Sequence, residues 1–140
     1  MTARIDDAGL ERAARQAFAS DPRLTTHGYG TFEAPGVASG VGHARERAEL
    51  LTRLDRVVRV ARWLLTELRP TASAGRHGSY MLKHVYEAAT GEYVTNGELI
   101  LAALATGHPV KPDGPGHPNA GIGVRSRDVT RVRRAAGLDA

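Results

Sequence analysis

The stretch HARERAELLTRLDRVVRVARWLLTEL, residues 43–68, decides the fold class. Leu50, Leu54, Val57, Ala61, Leu64 and Leu68 follow a strict 4-3-4-3-4 spacing, and Leu51, Val58 and Leu65 widen the stripe. Apolar residues recurring in this way on one side are the mark of an amphipathic α-helix. Arg53, Arg56, Arg59 and Arg62 fall on the opposite half of the helical wheel. At ~1.5 Å of rise per residue an unbroken helix here would be roughly 40 Å long, about the diameter of a small domain. It is expected to be the central spine, stopped by Pro70. The 4-3 spacing also permits a homodimer through a helix seam. Three heptads are short for a free-standing coiled coil, so packing within the chain is the simpler use.

Working outward, Leu10, Ala13, Ala14, Ala17 and Phe18 predict a helix over 6–20, capped by Asp6 and ended by Asp21 and Pro22. Beyond the spine, Ser79 can cap a helix that runs to Thr90, with Gly91 as its stop. Thr95-Asn96-Gly97-Glu98 matches a capping box and opens a short helix ending at Gly107. That helix is apolar nearly all round, which predicts burial. Ser126 caps a last helix over 127–136. Gly28, Gly30, Pro35, Gly36, Gly40 and Gly42 mark 25–42 as a loop. Pro109, Pro112, Pro115 and Pro118 recur at the polyproline II period, interrupted by Gly114 and Gly116, and mark 107–121 as a second. Both segments are expected to be flexible, with a short strand at 122–124 and at most a small two-stranded element in all. The expected fold is all-α (mainly α): a single domain over 1–140, about five helices around the long central helix, and at most a minor β element near the C-terminus.

A chain of 140 residues, 41% apolar and 24% charged, has the material for one packed core. It contains no cysteine, which excludes disulfides, cysteine nucleophiles and thiolate metal sites. No stretch approaches the ~18 apolar residues of a membrane span. Asp6 and Asp7 stand where the apolar part of a signal peptide would begin, so a cytoplasmic location is expected. His27, His43, His77, His84, His108 and His117 are scattered, and none forms a helical i, i+4 pair beside an acidic ligand. No metal and no cofactor are expected.

The formal net charge is +4 and the sequence pI about 10.0, and of 19 basic residues only Lys83 and Lys111 are lysines. Guanidinium is the better group for bidentate phosphate contact, although an Arg-rich composition also follows from a GC-rich genome. Two sets of residues suit a phosphate backbone. Arg127, Arg131 and Arg134 share one face of the last helix, flanked by Arg125 and Arg133. Tyr80, Lys83, His84 and Glu87 lie at i, i+3, i+4 and i+7, with Arg76, His77 and Ser79 at that helix's start, where the dipole favours an anion. Each set also has a plain explanation as the wet face of an amphipathic helix.

Residues 79–106 resemble a helix-turn-helix in outline, but the 91–95 gap exceeds the usual turn, and only Asn96 and Glu98 could read base edges. His84 with Tyr80 or Glu87 is the only set suited to acid–base catalysis, and no nucleophile, phosphate-loop or dinucleotide motif accompanies it. An enzyme is therefore not expected; that reading would need a pocket gathering His84, Tyr80 and a loop histidine. Trp63, with Arg56 and Arg59 nearby, projects from the Arg-bearing half of the spine as a partner-binding anchor, unless the first helix or the Gly-rich loop covers it.

The sequence thus points to a non-enzymatic nucleic-acid-binding protein, with DNA the expected target, that contacts phosphates through Arg-rich surfaces. The alternative is a protein-interaction module, an adaptor or an inhibitor of a larger complex, using Trp63 and the Gly/Pro-rich loops. The two part on geometry. Guanidinium groups distant in sequence must assemble into a common cationic surface for the first; dispersal, or neutralisation by carboxylates, favours the second.

Overall fold

A computed structural model describes residues 5–31, 33–36 and 42–138. Six helices form among them: α1 (Asp7–Ser20), α2 (His43–Leu51), α3 (Leu54–Glu67), α4 (Ser79–Thr90), α5 (Asn96–Thr106) and α6 (Ser126–Ala135). Five short strands accompany them: β1 (Leu24–Thr25), β2 (Gly28–Tyr29), β3 (His77–Gly78), β4 (Val110–Pro112) and β5 (Ala120–Ile122). The fold is mainly α with small antiparallel sheets. β1 and β2 form a hairpin, and a three-stranded sheet runs in the order β3-β5-β4. The β content exceeds the small two-stranded element expected, because 77–78 and 110–112 both pair with β5 and 24–25 pairs with 28–29.

The expected spine over 43–68 is interrupted at Thr52 and Arg53. Thr52 N–H is shared between the carbonyls of Ala48 and Glu49, and its hydroxyl donates to Glu49 O at 2.6 Å. Arg53 N–H turns to Leu50 O at 3.1 Å, so the ladder tightens and stops for one step. The break is too short to shift the apolar stripe. Leu50, Leu54, Val57, Ala61, Leu64 and Leu68 are all buried, so the seam offered for a homodimer is spent within the chain.

The most enclosed element is α5. Leu99, Ile100, Leu101, Ala102 and Ala103 have no exposed surface, and the helix packs against α1, α3, α4 and both small sheets. Each large aliphatic side chain so buried contributes roughly 1.5–3 kcal/mol. The capping box is present as expected: Glu98 N–H donates to Thr95 Oγ1, and Thr95 N–H donates to Glu98 Oε1, both at 3.1 Å. The described parts of the two Gly/Pro-rich stretches are tied together. Tyr29 N–H donates to Pro118 O at 3.0 Å and Gly116 N–H to Pro35 O at 3.1 Å. Residues 32 and 37–41 of the first stretch lie outside the described residues.

His108 closes the core behind α5. It is buried, its Nε2–H donates to Leu68 O at 2.7 Å, and its Nδ1 lies 2.5 Å from the Thr106 hydroxyl. Burial holds its pKa below the ordinary histidine value, partly opposed by the Leu68 carbonyl. A depressed histidine pKa contributes stability that is complete above the unfolded-state pKa and is lost as pH falls towards the folded one. Urea midpoints measured between about pH 7.5 and pH 5 should therefore fall more steeply for the wild type than for His108→Gln. Parallel curves would remove His108 as the cause.

Candidate functional site

Three chain segments meet at the start of α5 and leave a cleft of about 500 Å³ beside it. Its walls come from the β1–β2 turn (Thr26, His27), α4 (Tyr80, Lys83), the loop before α5 (Tyr93, Thr95), Asn96, and Pro118 with Asn119; Thr31, Pro35 and Glu49 complete them. Two glycines make the convergence possible. Gly28 has a φ of 115°, and a Cβ there would stand 2.2 Å from Pro118 O. A Cβ on Gly97 would stand 1.9 Å from Thr25 O. Only residues without a side chain allow backbones this close.

Asn96 holds the three segments together. Its Nδ2 donates to His27 O (3.0 Å), Pro118 O (3.2 Å) and Asn119 Oδ1 (3.0 Å), which fixes the amide orientation, since a flip would face three acceptors with an oxygen. Its Oδ1 is then left buried with no hydrogen-bond donor among the described residues, in a side chain 8% exposed. An unmet buried acceptor costs about 1–3 kcal/mol, so this one stands out.

Over the cleft stand two exposed rings, Tyr80 (56% exposed) and Tyr93 (61%). Lys83 lies between them, its Nζ 5.9 Å from the Tyr80 ring centre and 5.0 Å from that of Tyr93, within cation–π range. Lys83 donates to Glu87 Oε2 at 3.0 Å, and the same oxygen accepts from Val94 N–H at 3.2 Å. Glu87 thus anchors both the lysine and the loop that carries Tyr93. Burial pushes the Glu87 carboxyl up, but the Lys83 and Val94 hydrogen bonds and the neighbouring cations outweigh it and hold the pKa below the usual range. His84 packs edge-on to Tyr80 at 4.5 Å and places Nδ1 3.3 Å from Glu87. It does not line the cleft with Tyr80 and His27, so the three groups an enzyme reading asks for are only partly gathered.

A second group of expected residues meets at the start of α6. His77 Nε2 lies 2.9 Å from Ser126 Oγ, and both line a hollow of about 220 Å³ together with Arg76. Arg125 and Arg127 flank Ser126 in the chain. The first turn of α6 carries no side-chain cap. Burial and the adjacent Arg76 charge lower the His77 pKa. Arg76, Arg125, Arg127 and Arg134 have no carboxylate partner among the described residues.

Other expected contacts are otherwise engaged. Ser79 is fully buried and its Oγ accepts from Ala120 N–H, so it ties α4 to β5 and is withdrawn from any surface. Arg131 donates to Glu67 O at 2.7 Å and to its carboxylate at 3.2 Å. Arg56 makes a bidentate pair with Glu98 at 2.7 and 3.0 Å, and Arg59 pairs with Glu92 at 2.7 Å. Trp63 is half-buried, edge-on to Tyr86 at 5.2 Å and packed on the core. Tyr93 and Asn119, which local pattern did not single out, belong to the cleft. Comparison with protein-family models, curated proteins and solved structures finds no match for this chain. Among the described residues no cluster suited to a metal ion occurs, and no helix is long and apolar enough to cross a membrane.

Proposed function

We propose that this chain is a non-enzymatic nucleic-acid-binding protein, acting on DNA in the cytoplasm and contacting phosphates through arginine. The observation that carries the reading is that Arg76 lines the hollow at the start of α6 together with His77 and Ser126, the residue that Arg125 and Arg127 flank in the chain. The three arginines come from distant parts of the chain and keep their charge without a carboxylate partner among the described residues. The helix dipole at the start of α6 adds to the attraction for a phosphate oxygen, opposed by the Asp128 carboxylate in the same turn. The phosphate surface is narrower than the sequence suggested, since Arg131 is held by Glu67 and Lys83 by Glu87. Arg134 extends it along the α6 face.

A protein partner is the second reading. The pairing of Arg56, Arg59, Arg62 and Arg131 with carboxylates favours it, because neutralised guanidinium groups contribute little to a polyanion contact. The exposed tyrosines of the cleft would then be its anchors, in place of Trp63. Binding to a random-sequence duplex across a salt series separates the two. Association that weakens steadily as salt rises supports the DNA reading. No association even at low salt, with a protein recovered in pull-down, would replace it.

A further inference from the structure

The cleft beside α5 is unlike the Arg76-lined hollow at the start of α6, and the difference in charge indicates what it holds. Lys83 is neutralised by Glu87, and Glu49 lies on the wall, so the cleft has no surplus positive charge for a phosphate. It offers two exposed tyrosine rings with an ammonium between them. These suit a flat, uncharged ring. Stacking on aromatic side chains is how unpaired bases are held, and it is tolerant of sequence because every base has a π-face. At about 500 Å³ the cleft falls within the range of sites that enclose small ligands.

We infer that the cleft between α4 and the start of α5 is a slot for one unpaired base of a DNA strand, stacked by Tyr80 or Tyr93. The inference rests on the DNA reading above and adds single-strand preference to it. Arg76 stands only four residues before Tyr80, so the two sites lie within about 14 Å along the chain. One strand could therefore set a phosphate at Arg76 while a neighbouring base enters the slot. A peptide side chain is less well matched, because it would leave Arg76 at the start of α6 without a role.

The test measures affinity of the full chain for a mixed-sequence 12-nucleotide single strand and for the matching duplex. The variants are Tyr80→Ala with Tyr93→Ala, the corresponding double Phe substitution, and Arg76→Ala with Arg125→Ala and Arg127→Ala. Both tyrosines are exposed, so their replacement should leave the fold intact. Expected is a loss of about tenfold or more in single-strand affinity for the double Ala variant, with duplex affinity within about twofold and the Phe variant close to wild type. Unchanged single-strand affinity in the double Ala variant would overturn the base slot while leaving the DNA reading standing. If the wild type binds neither strand nor duplex, both fall, and a peptide becomes the candidate occupant of the cleft.

Discussion

Gly97→Ala is expected to destabilise the protein by about 2 kcal/mol or more, against the direction that helix propensity alone would give. Gly97 is the second residue of α5, where alanine would ordinarily gain up to about 1 kcal/mol. The opposing effect is steric and involves backbone on both sides. The new methyl would stand 1.9 Å from Thr25 O and 2.9 Å from the carbonyl carbons of Thr25 and Thr26. A main-chain carbonyl in a paired strand cannot swing aside as a flexible side chain would. Relief requires the β1–β2 hairpin to back away from α5, which breaks the Gly97 N–H bond to Thr26 O and strains the Asn96 bond to His27 O. Each such bond contributes about 1 kcal/mol. A lower urea midpoint in Gly97→Ala is the result to look for, together with altered resonances of Asn96 and Tyr93. A midpoint equal to or above the wild type would mean that the hairpin does not sit this close.

The second large effect concerns Glu98, which is 1% exposed at its side chain and paired with Arg56 at 17%. Arg56→Met keeps most of the apolar stem but leaves a buried carboxylate held, among the described residues, through the Thr95 N–H of the capping box. Breaking a buried pair from one side costs roughly 3–5 kcal/mol, because the orphaned charge cannot regain its hydration. Adding Glu98→Gln removes that charge while an amide oxygen still receives Thr95 N–H in the capping box. The double variant is therefore expected to recover most of the loss seen in Arg56→Met. Simple additivity of the two substitutions, measured by chemical denaturation, would show that the pair is not coupled and that the Arg56 cost lies in packing.

Much of the helix layout was legible because its signals are local. Asp6 receives Gly9 N–H at 2.8 Å, Thr95 and Glu98 close their box, and Gly91 and Gly107 end their helices with positive φ, all within a few residues of one another. The burial of α5 was legible from its lack of a polar face. The break at Thr52 was not, because a stop of two residues leaves the 4-3 stripe in register. The arginines were the harder case. Arg56 finds Glu98, Arg59 finds Glu92 and Arg131 finds Glu67, each across more than thirty residues of chain, so no local window could tell a neutralised guanidinium from an open one. Tyr80 and Lys83 were visible as one helix face. Tyr93 and Asn119 sit in irregular segments, where no period marks a residue as facing a cleft. Ser79 misled for a related reason: a serine at a helix start suggests an open N-terminus, whereas the pairing of β3 with β5 encloses it.

The most direct measurement is the salt dependence of duplex binding by the wild type and by the variant lacking the guanidinium groups of Arg76, Arg125 and Arg127. Removing three phosphate-neutralising groups should reduce the slope of log affinity against log salt by about 2 to 3, with weaker binding at low salt and an unchanged denaturation curve. The same slope and affinity in both proteins would contradict the claim that these arginines hold the DNA backbone.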